Sequence, residues 1–234
     1  MNMFDRLLTR SLTGSIGIVL LGIVALGARA QTEAAPEPSA AEKLVFTRPH
    51  LANVTLPGTL GYAYVHQGGS EPDLAERMTL RLRRTSGGGC CTVSGSFLSG
   101  PRQFVLPEIP DASANPALLY YLENEVRELQ RLTRGQSGHF RKQIRLALVD
   151  RATVSDTTVT WGGKPWPAQA VRITPFVNDP FRSRFERLAP KEYTFVLAEG
   201  VPGGLYQIRG ALPGTQEFDS LTLDEPGTTP SDKR

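Results

Sequence analysis

The apolar residues of this chain recur at every second position through its first half, and at Asn115 that period changes to three and four. In Met78-Thr-Leu-Arg-Leu-Arg83, Met78, Leu80 and Leu82 face one way while Thr79, Arg81 and Arg83 face the other, the mark of a half-buried strand. Leu60, Tyr62 and Tyr64 alternate with smaller residues up to His66, and Cys91, Val93 and Phe97 continue an inward row. Turns at Ser86–Gly89 and Ser99–Pro101 join these segments into a meander that Gln103–Leu106 extends, with Pro107 and Pro110 expected to stop it. Such a chain has to bury one face of an antiparallel sheet.

What covers that face is read from the change of period. Asn115-Pro116 is an N-cap and first-turn pair. Leu118, Leu122, Val126, Leu129 and Leu132 then make one apolar helical face, with Gly135 as its stop. Glu123, Glu125 and Glu128 are assigned to the solvated side of this helix. In His139–Val149, Phe140, Ile144 and Leu148 suit a second helix capped by Ser137, whereas a strand would turn Lys142 inward; the helix is preferred.

Strands resume at Thr157–Trp161 and Lys164–Ile173 around a Gly162-Gly163 turn, a register that puts Trp161 and Trp166 on one face. Val171 and Ile173 have the opposite parity, so a bulge near Pro165 or Pro167 is expected. Tyr193–Leu197 and Leu205–Arg209 complete the set. The fold class is α+β: a curved, mostly antiparallel sheet, open or barrel-like, of about eight strands around one or two helices.

The first thirty residues read as a secretory signal peptide. Arg6 and Arg10 precede an apolar run from Ile16 to Leu26, and Ala28-Arg29-Ala30 marks a cut before Gln31. The run is shorter than the roughly 20 residues a membrane span needs, and no cysteine lies near the cut. The expected product is exported, soluble and periplasmic, with no transmembrane segment after cleavage. Residues 31–43 and 214–234 read as a disordered linker and a disordered acidic tail around one folded domain, 44–213. Cleavage lowers the net charge from +3 to +1, so the basic pI does not indicate nucleic acid as a partner. The folded part retains 17 arginines among its 20 basic residues, read as solvated faces rather than an anion-binding surface.

Motifs of chemistry are sparse. His50, His66 and His139 lie far apart without metal spacing, and no cofactor signature occurs. Gly135-Gln-Ser-Gly138 lacks the second glycine of a nucleophile elbow. Cys90 and Cys91 are adjacent; one reading is a vicinal disulfide or a redox switch, but pairing them needs a distorted eight-membered ring, so the preferred reading places Cys91 in the core with Cys90 incidental on the turn. The better lead is aromatic. Trp161, Trp166, Tyr62 and Tyr64 are candidates to line an apolar cavity in the concave sheet, against a reading in which they only fill the core.

Leu56-Pro-Gly-Thr-Leu-Gly-Tyr62, Phe97-Leu-Ser-Gly100, Asn115-Pro-Ala-Leu-Leu-Tyr-Tyr-Leu122 and Val201-Pro-Gly-Gly-Leu-Tyr206, taken in order, resemble a family of uncharacterised exported proteobacterial proteins. That family is similar in layout to periplasmic domains of unknown function and to lipoprotein-carrier half-barrels. The resemblance covers most of the domain through turn, cap and core residues and carries no catalytic motif. The functional expectation is a non-enzymatic periplasmic binding or envelope-assembly protein, its partner a lipid, another amphiphile or an envelope protein. The alternatives are a hydrolase with an unrecognised Ser/His/Asp site and a structural scaffold.

Overall fold

A computed structural model describes residues 37–85 and 90–227. The signal peptide and the Ser86–Gly89 turn lie outside the described residues. Nine antiparallel strands form one open, curved sheet in the order β4-β3-β2-β1-β9-β8-β7-β6-β5. The strands are β1 Gly58–Gln67, β2 Leu74–Arg84, β3 Cys91–Phe97, β4 Phe104–Ala112, β5 Thr153–Trp161, β6 Lys164–Ile173, β7 Glu192–Leu197, β8 Leu205–Ala211 and β9 Phe218–Leu223. Helices α2 (Pro116–Thr133) and α3 (Ser137–Asp150) follow β4, and a short α1 (Ala40–Glu42) continues into a π-helical turn through Thr47.

The alternation read from the sequence is the one that packs. Tyr62 lies opposite Met78 and Leu60 opposite Leu80; Met78 and Leu82 in turn face Phe97 and Val93. All of these residues are buried. Gly95, which interrupts the inward row of β3, faces Leu80, and a Cβ there would fall 2.5 Å from the Thr79 carbonyl oxygen.

Two boundaries are corrected. The segment assigned to an acidic tail contains β9, which pairs with both β1 and β8 in the middle of the sheet and buries Leu221 and Leu223. Its apolar residues are few, yet a strand with neighbours on both sides fills its backbone hydrogen bonds without a long apolar run. The assigned linker reaches into α1, where Ser39 and Glu42 make a capping box and Ala41 is buried. With β9 included, the described residues form nine strands, in keeping with the expected number of about eight.

The prolines also act differently from expectation. β4 runs through Pro107 and Pro110 because it is an edge strand with two register shifts, where missing N–H groups cost no ladder bonds. In the β5–β6 hairpin, Gly162 and Gly163 take φ of 61° and 71°, the I′-type turn whose flanking pair, Trp161 and Lys164, is hydrogen-bonded. Bonding then alternates, so Pro165 and Pro167 oppose Thr160 and Thr158 at positions where neither strand bonds the other. No bulge is required and none occurs along the β5–β6 register. Trp166 keeps the opposite parity from Val171, and the two face opposite sides of the sheet.

Helix α2 starts where expected. Asn115 accepts from the Ala117 amide, while its Nδ2 donates to the Tyr62 hydroxyl and the Gly203 carbonyl at 2.7 Å each. The helix ends one residue early, with Arg134 rather than Gly135 in the left-handed conformation. Helix α3 is present, its N-cap being Gln136 rather than Ser137. Because Asn115 joins helix, sheet and loop, Asn115→Ala is expected to cost about 3 kcal/mol, above the ~1 kcal/mol of an ordinary cap. Urea unfolding measures this; a loss under about 1 kcal/mol would show that the Tyr62 and Gly203 bonds add nothing to the cap.

Cys90 and Cys91 are joined as a vicinal disulfide, correcting the incidental role given to Cys90. Cys91 is fully buried in the core, as expected.

Candidate functional site

The sheet register builds a row of polar groups on the helix-facing side. His66 of β1 lies opposite Asp219 of β9, Asp219 opposite Gly210 of β8, and Gly210 opposite Tyr193 of β7. Lys191 precedes β7, and Glu125 reaches the row from α2. Gly210 makes room: a Cβ there would stand 2.9 Å from the Tyr121 hydroxyl, 3.0 Å from Lys191 Cε and 3.2 Å from Asp219 Oδ2.

Lys191 Nζ donates to Glu125 Oε2 and to Asp219 Oδ2, each at 2.6 Å. The Tyr193 hydroxyl donates to Glu125 Oε2 at 3.0 Å, and His66 Nδ1 lies 2.8 Å from Asp219 Oδ1. Two buried polar atoms beside the row, His66 Nε2 and the Tyr121 hydroxyl, have no hydrogen-bond partner among the described residues. Glu125 is 1% exposed, so its assignment to the solvated helix face is corrected.

Burial pushes the Glu125 carboxyl up to about 7, with the Asp219 charge adding to the rise and Lys191 and Tyr193 opposing it. Burial also disfavours the Lys191 ammonium, but Glu125, Tyr193 and Asp219 outweigh it and hold the group well above the usual lysine range. At Asp219 burial is outweighed by Lys191 and the His66 hydrogen bond, leaving its carboxyl below the usual value. That hydrogen bond, against partial burial, raises His66. Two carboxylates and one ammonium are balanced only when one more proton sits on Glu125 or His66.

Glu125 and His66 thus hold a proton more tightly folded than unfolded. Their contribution to stability is complete below the ordinary values of 4.5 and 6.5, and it is lost as pH rises through about 7 for Glu125 and through the raised value of His66. Asp219 acts in the other direction: its contribution is present above the ordinary 3.8 and is lost as pH falls through its lower folded value. His50, held below its ordinary 6.5 by burial, also works against them: its contribution grows as pH rises toward 6.5 and is complete above it. From about pH 7 to 8 Glu125 and His66 decide, so the urea midpoint is expected to fall as pH rises. Glu125→Gln removes one titrating group and should flatten most of that slope; an unchanged slope would place its source elsewhere.

This cluster forms the floor of an open recess of about 290 Å³. Tyr64 lies beside it, and Leu74, Leu98, Leu129, Leu132 and Leu188 supply apolar wall. Arg102, Arg131 and Arg187 stand at the recess as well. Arg131 pairs with Glu128 and Glu71, and Arg187 with Glu217. Arg102 is exposed and has no carboxylate partner among the described residues.

The four aromatic candidates do not share one cavity. Tyr62 is fully buried beneath Asn115, and Tyr64 packs edge-on against Phe97 while lining the recess. Trp161 and Trp166 are half-buried on the other face. The Trp161 indole donates to the Asp224 carbonyl, and the Trp166 indole to the Trp161 carbonyl.

Each histidine is partnered. His50 Nδ1 accepts from the Asn115 amide and its Nε2 reaches the Leu44 carbonyl at 2.8 Å. His139 Nε2 meets the buried Asp179 at 2.6 Å. His66 and His139 each meet an aspartate, and no histidine–serine hydrogen bond occurs among the described residues. Among the described residues, no three His, Cys, Asp or Glu side chains converge on a metal position, and no helix is long and apolar enough to cross a membrane.

No protein-family model matches the chain, and no curated protein matches it. The family resemblance therefore rests on its four sequence segments alone. Among solved structures, the crystal structure of the lipoprotein LppX from Mycobacterium tuberculosis is similar with a TM-score of 0.37 at 11% identity. It covers 79% of this chain and 92% of that one.

Proposed function

We propose that the protein is a non-enzymatic, exported binding or envelope-assembly protein of the periplasm that holds a small anionic amphiphile in the recess above Glu125, Lys191 and Asp219. The supporting observation is the meeting, in one recess, of a five-leucine wall and an unpaired arginine at its edge. At about 290 Å³ it is at the lower end of ligand pockets, so the apolar part it takes is short. The alkyl part lies against Leu74, Leu98, Leu129, Leu132 and Leu188, and the anionic head is met by Arg102. Helix α2 occupies the concavity of the sheet, which moves the site from the middle of the sheet to the side of the helix. Tyr64 is the aromatic candidate retained; Trp161 and Trp166 hold the hairpin tip against the end of β9.

Titration calorimetry of the chain from Gln31 onward with decyl phosphate tests the reading. One site per chain is expected, with weaker binding of a decyl ammonium ion and a loss of tenfold or more in Arg102→Glu. Equal affinity for both head groups, or no binding, would overturn it.

A further inference from the structure

The two edges of the sheet are built differently. The β4 edge carries Pro107, Pro110 and two register shifts, devices that keep an edge from pairing. The β5 edge, Thr-Val-Ser-Asp-Thr-Thr-Val-Thr-Trp, has no proline, no basic residue and an unbroken nine-residue register with β6. Its first six residues are exposed. Because Trp161 and Lys164 form the hydrogen-bonded pair at the turn, the backbone groups of Val154, Asp156, Thr158 and Thr160 point away from β6.

We infer that β5 pairs antiparallel with β5 of a second copy about a two-fold axis at Thr157. This register opposes Val154 to the partner's Thr160 and Asp156 to the partner's Thr158. It uses every outward-pointing group in about eight hydrogen bonds. An axis at Asp156 would instead set two carboxylates against each other.

Two features favour a second copy over an extended peptide. The exposed Arg151, which caps α3 just before β5 begins, comes to the same end of the pair as the partner's Gly162-Gly163 turn. There, Glu225 sits with a carboxylate oxygen 2.8 Å from the Gly162 amide nitrogen, so opposite charges meet at both ends of the pair. On the helix side of the edge, Phe46, Leu146, Val149 and Val154 are 36–40% exposed, on elements joined through α1, which touches both α3 and β5. Val154 opposes the buried Val171 and so faces that side. The partner presents exposed Pro165 and Pro167 on the same side.

This inference is independent of the ligand in the recess. Sedimentation velocity of the full mature chain over roughly 1 to 100 µM is expected to show a dimer. Thr158→Pro removes an outward-pointing N–H that β6 does not use, and should give a monomer with the melting temperature nearly kept. Arg151→Glu should weaken the dimer at least tenfold, and adding Glu225→Arg should restore it. A monomer throughout, a dimer insensitive to Thr158→Pro, or a charge swap without rescue would overturn the pairing.

Discussion

Lys191→Met is expected to destabilise the protein by roughly 3–5 kcal/mol near pH 8, the cost of leaving a buried charge group without its partner. The ammonium is the group that both Glu125 and Asp219 share. Without it, two buried carboxylates face each other and their affinity for protons rises. One of them must then hold a proton or repel the other. Acidification supplies that proton, so the loss should shrink by at least half near pH 5. Urea unfolding of both proteins at the two pH values decides the matter. An equal loss at both would mean that Lys191 contributes through its packing. A combined Lys191→Met, Glu125→Gln variant should recover part of the loss at pH 8, since only Asp219 then needs a counter-charge.

The second large effect concerns the chain end. A protein stopped after Gly214 is expected not to fold, whereas one stopped after Gly227 should match the full chain. The shorter one loses β9, and with it the hydrogen-bond partners of both β1 and β8. Buried Leu221 and Leu223 alone account for about 2–3 kcal/mol each, against a total stability of about 5–15 kcal/mol for a typical domain. Asp219 goes too, leaving His66 without its acceptor. Circular dichroism and amide proton dispersion distinguish the outcomes, and native-like spectra from the shorter chain would show that the sheet closes without β9.

Much of this architecture was legible, because the residues that alternate in Leu60–Tyr64, Met78–Leu82 and Tyr193–Leu197 are those the sheet buries. What escaped is instructive. Glu125 follows Leu122 by three positions and precedes Leu129 by four, so it stands in the apolar stripe of α2. His66 continues the inward parity of Leu60, Tyr62 and Tyr64; Lys191 that of Tyr193 and Phe195; and Asp219 that of Leu221 and Leu223. Each charged or titratable member occupies a place where its element's own period calls for an apolar side chain. Read one at a time, such residues pass for surface. Their common burial follows from non-local strand pairing, which local patterning does not specify: β9 reaches β1 from more than 150 residues away. The tryptophans were misplaced for the opposite reason, since an expected bulge would have turned them inward and the Gly-Gly hairpin has no need of one.

The position of β9 also sets an order of events. Strands β1 to β4 are sequence neighbours on one side of it, and β5 to β8 form the other side. Each group can assemble from its own hairpins, but the seam between them consists entirely of β9, the last of the described strands. A chain emerging N-terminus first carries two half-sheets with unpaired inner edges until β9 appears. The sheet cannot complete itself early: until β9 is in place, β1 and β8 each keep an open edge facing the gap that this strand fills.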